Sequence, residues 1–154
     1  MKWLAFALCA VVVWLAARWL VERLSPPPDT LGDAERPLSV CPGSPNCVSS
    51  QDDPPTIAPL QSASAQALFE ELTRRVAADS RATILTRNET YLHAEYRSVV
   101  FGFIDDLELR LDKSAQRIDL RSASRLGHSD FGVNRKRLMA LTADLNIAGE
   151  LTAD

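Results

Sequence analysis

The sequence predicts an α+β fold: an antiparallel four-stranded sheet with helices packed on one face, preceded by one transmembrane helix. Three observations carry that reading. An apolar run opens the chain, a block of about 35 residues holds every proline, and a helix-period segment, four strand-period segments and a second helix-period segment follow. The 154 residues leave room for one domain and a tail. The expected organisation is 1–24, an N-terminal transmembrane anchor or uncleaved signal; 25–59, a Pro-rich linker with a Cys pair; and 60–154, a globular α+β domain.

Trp3 to Ala17 is an unbroken apolar run, and Trp19, Leu20 and Val21 continue it past Arg18. At about 1.5 Å per residue, Trp3 to Leu20 spans roughly 27 Å, near the ~30 Å hydrocarbon core of a bilayer. Trp3 and Trp19 fall near the two ends, where indole rings favour the interface, and Arg18 can snorkel toward the headgroups. Lys2 and the short charged start also suit a cleaved signal peptide, but no A-x-A site follows, so retention is expected. Cys9 follows Leu8, where a lipoprotein site needs a small residue, and reads as an apolar thiol inside the span.

Lys2 and the amino terminus face Arg18 and Arg23, partly offset by Glu22, so the positive-inside rule gives a near draw. Cysteine usage breaks it toward a domain on the periplasmic or extracytoplasmic side. Outside the span only Cys41 and Cys47 remain, close together, as an oxidising compartment would use them. A metal is the alternative use of two thiols. No second Cys pair exists, however, and His93 and His128 are far away in sequence, so a disulfide is expected and no cofactor.

From Ser25 to Pro59 no helix or central strand can run through the prolines. Ser25 to Pro37 reads as a semi-extended spacer away from the bilayer, and the later part, around the two Cys, as packed on the domain. Beyond it, Ala63 to Ala78 carries Ala65, Leu68, Leu72 and Val76 on one stripe, with Ser62 or Ser64 as its cap. Strands are expected over Ala82 to Thr86, Thr90 to Ser98, Asp105 to Asp112 and Arg117 to Ala123. Leu107, Leu109 and Leu111 alternate with charged residues, as do Ile118 and Leu120, and Lys113 to Gln116 suits a hairpin connection. Val133, Leu138, Leu141 and Leu145 mark a closing helix, and both helices belong on the apolar face of the sheet.

The other face would carry His93, Glu95, Arg97, Asp106, Glu108, Arg110, Asp119 and Arg121. Its ordinary reading is a solvated face with weak cross-strand ion pairs. Globally, Lys+Arg 17 against Asp+Glu 20 gives a net charge of -3, which excludes a nucleic-acid partner held by phosphate neutralisation. Locally, eight basic residues between Arg110 and Arg137 face only Asp112, Asp119 and Asp130. Most are Arg, which suits bidentate binding of carboxylate or phosphate.

The segments Cys41-Pro42-Gly43-Ser44-Pro45-Asn46-Cys47-Val48-Ser49-Ser50, Tyr96-Arg97-Ser98, Phe101-Gly102-Phe103-Ile104-Asp105-Asp106-Leu107-Glu108 and the run from Arg121 to Arg137 resemble the family catalogued as domain of unknown function 1499. The resemblance extends from about Leu38 to Leu145. It implies a single domain found in bacterial envelope or membrane-associated proteins and in plastid-bearing eukaryotes, with no activity to carry over. His128 stands where the family pattern leads one to expect an aromatic residue such as Tyr.

Two functions follow. The leading expectation is a membrane-anchored, non-enzymatic binding or interaction module, with membrane contact through residues 1–24. Arg97, Arg121, Ser122, Ser124, Arg125, Asn134 and Arg135 would hold an anionic small molecule or lipid headgroup beside the start of the last helix. Because Arg121 and Ser122 alternate across the strand, both can join only if the strand ends or bulges near Ala123. Internal pairing of Arg125 or Arg135 with Asp105 or Asp106 is the competing use of these groups. The alternative function is a hydrolase-like enzyme using His93 or His128 with Asp105, Asp106 or Asp130. His128-Ser129-Asp130 are sequence neighbours that diverge, so they suit a turn or helix cap better than a relay. Asp105 and Asp106 point to opposite faces of a strand and cannot flank one bond.

Overall fold

The computed structural model describes residues 2–29 and 31–145. Residues 146–154 of the expected domain lie outside the described residues. Helix α1 (Lys2–Arg23) is followed by β1 (Cys47–Ser49), β2 (Leu60–Gln61), α2 (Ala65–Ala78), β3 (Ala82–Arg87), β4 (Tyr91–Arg97), β5 (Ile104–Asp112), β6 (Arg117–Ser124) and α3 (Val133–Thr142). The four long strands form the expected antiparallel meander.

The sheet has six strands rather than four, in the order β1-β6-β5-β4-β3, with β2 also on β6. Both extra strands are antiparallel to β6: Cys47 to Ser49 against Ala123 to Arg121, and Leu60 and Gln61 against Ile118 and Arg117. They are too short to show a period, and prolines stand beside them. What makes them strands is the outer edge of β6, whose backbone groups need partners once buried.

Alternation places Leu92 and Ala94 of β4, Leu107, Leu109 and Leu111 of β5, and Ile118 and Leu120 of β6 on one face. Phe69, Leu72 and Val76 of α2 and Leu138 and Leu141 of α3 close the core from that side. Ser64 is the N-cap of α2 but makes no side-chain cap bond. Ser62 Oγ instead accepts the Ser64 amide at 3.1 Å. In the β5–β6 turn, Asp112 Oδ1 accepts the amides of Ser114 and Ala115, an Asx turn that closes the hairpin.

Most of the opposite face is not solvated: of the eight residues expected there, Arg97 is exposed and Arg110 half-buried. His93, Glu95, Asp106, Glu108, Asp119 and Arg121 are all buried. The cover comes from the Pro-rich segment: residues 25–29 and 31–46, the strap, lie across the sheet instead of acting as a spacer, and Ser50 and Gln51 extend the cover over Asp119. The alternating pattern reported two faces correctly, but it carries no information about a cover without a period of its own.

Candidate functional site

The layer beneath the strap is built on four buried carboxylates, Asp106, Glu95, Glu108 and Asp119. Asp106 Oδ1 lies 2.7 Å from His93 Nε2. On its other side Arg125 donates from Nε to Oδ2 at 2.8 Å and from Nη2 to Oδ1 at 2.7 Å. The same Nη2 lies 2.6 Å from Glu95 Oε1, and Nη1 donates to the Ser25 carbonyl at 3.1 Å. Arg97 then bridges Glu95 at 3.2 Å to Glu22, in the last turn of α1, at 3.1 Å. A chain of alternating charges thus runs from the sheet to the end of the apolar helix.

Glu108, fully buried, accepts from Arg121 Nη1, Tyr91 Oη and the Gly32 amide at 2.8, 2.8 and 2.7 Å. A Cβ on Gly32 would stand 3.1 Å from Leu38 Cδ2 and 3.2 Å from Glu108 Oε1, so only glycine lets the strap come this close without a shift. Asp119 accepts from Gln51 Nε2 at 2.7 Å, Ser50 Oγ at 3.1 Å and Arg117 Nη2 at 3.1 Å.

Burial alone would push the Asp106 carboxyl up, but hydrogen bonds from Arg125 and His93 outweigh it and hold the group below its ordinary value. Burial likewise disfavours the Arg125 cation, and Asp106 and Glu95 reverse that and raise its pKa. For the Tyr91 phenol, burial and the neighbouring Glu108 both push upward, so it stays a neutral donor.

Between strap and β6 lies a cavity of about 620 Å³, with Pro26, Pro28 and Val40 on the strap side and Asp106, Arg121 and Arg125 on the sheet side. Arg121 Nε is buried with no hydrogen-bond partner among the described residues.

The seven expected site residues fall into two groups and one outlier. Arg97, Arg121 and Arg125 share the strap side. Ser122, Ser124 and Asn134 lie on the helix side, because β6 runs to Ser124 in unbroken register with β5 and does not bulge at Ala123. There Asn134 accepts from Ser122 Oγ at 2.6 Å and donates to Ser124 Oγ and to the Asn46 carbonyl. Arg135 is exposed and lines a different hollow, beside the Cys41–Cys47 loop. His128 is exposed, and Asp130 caps α3 by accepting the amides of Gly132 and Asn134.

Two members of the helix-side network were missing from the sequence reading. Arg137 donates to Ser122 Oγ at 2.8 Å and to Asp105 Oδ2 at 2.6 Å, and stacks over the Tyr96 ring at 4.5 Å. Helical phase could have found it, since Arg137 stands three residues after Asn134 and shares its face whereas Arg135 does not. Asn46, held next to a bridged cysteine, had no such signal. Asp105 serves this network while Asp106 serves the other, as adjacent strand residues must.

Cys41 and Cys47 are joined in a disulfide that fastens the strap's end to the first residue of β1. Replacing both with serine is expected to cost about 2 kcal/mol on the chain-entropy estimate. The measurement is the urea midpoint of unfolding, which should fall while the transition remains cooperative.

Together these features define an α+β sheet domain with a buried ionic layer, carried on an exposed N-terminal apolar helix. Residues 37–145 match the model of the family described as Protein of unknown function (DUF1499), and the chain belongs to that family. No curated protein and no solved structure matches it.

Proposed function

We propose that the chain is a membrane-anchored, non-enzymatic interaction module of the cell envelope. Its domain lies on the periplasmic or extracytoplasmic side, and the cavity beneath the strap takes an anionic small molecule or a lipid headgroup. The observation that carries this reading is the cavity's place in the chain. Pro26 and Pro28 line it just after α1 ends at Arg23, and α1 is an apolar helix of 22 residues with none buried. A cavity so close to the end of a span faces the headgroup region. Arg121 and Arg125 form its wall, and their guanidinium charge suits a phosphate or carboxylate oxygen; Arg121 Nε, without a partner among the described residues, is itself buried.

The full pairing of Arg125 favours a second reading, in which the layer is only a clamp holding the strap to the sheet. Thermal melts of the full chain separate the two, run in phosphatidylcholine vesicles, in vesicles containing phosphatidylglycerol, and with inorganic phosphate. Ligand binding raises the melting temperature with one of the anions, by an amount equivalent to about 2.7 kcal/mol at a hundredfold excess over Kd. Arg121→Gln should remove that increment. Identical melts in all three conditions would leave the clamp alone.

A further inference from the structure

We propose that the β4–β5 loop, residues 98–103, is a second membrane contact, with Val99, Val100, Phe101 and Phe103 entering the leaflet beside α1. The inference rests on α1 being a span. These residues are 79%, 56%, 52% and 41% exposed, an apolar cluster at the tip of a hairpin whose other apolar side chains are buried in the core.

The loop is not free of the helix. Trp14 Nε1 donates to the Val100 carbonyl at 2.9 Å, and Arg18 Nη1 donates to the carbonyls of Val99 and Val100 at 2.7 and 3.3 Å. Trp14, Arg18 and Glu22 repeat every four residues, so one helical face serves the hairpin, with Glu22 bound to Arg97, the last residue of β4 before the loop. Trp14 and Arg18 lie roughly 14 and 8 Å below Arg23 along the helix axis.

That depth decides the matter. Were the loop in water, the bilayer surface would have to cross α1 before Trp14. Only residues 2–13 would then remain for the hydrocarbon, roughly 18 Å of helix against the ~30 Å required. If the span is Trp3 to Leu20, the loop lies below the surface with it. Its chemistry fits that position. The Val99 and Val100 carbonyls, costly to bury unpaired, have their donors from Arg18 and Trp14. The Ser98 amide donates to the Phe103 carbonyl at 2.9 Å, and the Gly102 amide to the Ser98 carbonyl at 3.0 Å. Gly102 has φ +74°, a left-handed backbone that favours glycine, and it turns the loop beside the Arg18 guanidinium. Arg18, the one cation inside the apolar run, is occupied by loop carbonyls.

Nitroxide labels test the proposal. Full-length protein carrying Cys9→Ser, with the disulfide intact, receives one further cysteine: Val99→Cys, Phe101→Cys, Leu8→Cys within the span, or Lys113→Cys at the far end of the sheet. Each is reconstituted in phosphatidylcholine vesicles, and collision with oxygen is compared with collision with a water-soluble nickel chelate. The expected result is a shift to oxygen-dominated collision at 8, 99 and 101, with nickel dominating at 113. Nickel-dominated labels at 99 and 101 with oxygen dominating at 8 overturn the loop contact and leave the anchor standing. Nickel dominating at 8 as well defeats the anchor and the loop together. Labels at 99 and 101 shielded from both colliders and broadened by spin–spin coupling mean that the tip docks on another copy of the chain, which also overturns the proposal.

Discussion

Arg125→Ala is expected to destabilise the domain by about 3–5 kcal/mol, the cost of breaking a buried ion pair by removing one partner. For a chain of this size that is roughly 10 °C or more in Tm. The loss is large because two buried carboxylates, Asp106 and Glu95, share one guanidinium that is only 4% exposed. The effect should depend on pH with a definite sign. In the parent, the Asp106 carboxyl is held below its ordinary value of 3.8, so its contribution is fully present above that pH and is lost as pH falls through the lower folded value. Without Arg125, burial pushes the carboxyl up, and protonation relieves the variant. The gap between the two melts should therefore be widest at neutral pH and narrow in acid. A gap that stays constant down to pH 3.8 would mean that Asp106 does not carry the effect.

Glu108→Ala should cost a similar ~3–5 kcal/mol, since it leaves Arg121 as an uncompensated buried cation. It also orphans the Tyr91 hydroxyl and the Gly32 amide. The second loss has its own readout. The Gly32 amide is tied to the sheet through this carboxylate, so it should exchange with solvent faster. A protease specific for acidic residues should also cut sooner at Glu35. Glu108→Gln retains an acceptor for both donors while losing the charge, and should fall between parent and alanine variant. Unchanged exchange at Gly32 in the alanine variant would show that the strap is held by other contacts.

The long elements were legible because each has a period. Leu107, Leu109 and Leu111 declare a strand with one apolar face, and Ala65, Leu68, Leu72 and Val76 declare the helix that covers it. The opposite destinations of Asp105 and Asp106 follow from the same alternation. The strap was illegible for the converse reason: its order comes from contacts such as Gly32 to Glu108 and Ser25 to Arg125, made at separations of 76 and 100 residues. No local pattern encodes those. The candidate site was partly legible. Arg97, Arg121 and Arg125 do share one side, but Ser122, Ser124 and Asn134 belong to a separate network through the sheet. Arg137, with the right helical phase, stood two positions beyond the residue named.

The strap's long-range contacts also set an order in time. Synthesis delivers the apolar helix and the strap before the sheet, and Glu108 and Arg125, which pin the strap, emerge 76 and 100 residues after the strap groups they hold. Until they do, Ser25 to Asn46 has nothing to lie against, and the closing contacts carry the entropy of loops 76 to 100 residues long. A sheet whose central strands are local but whose lid is made well before them should form its meander quickly and seal slowly. In that interval the carboxylates of the unsealed face are open to water, and the newborn domain hangs from its helix by a loose tether rather than a fixed mount.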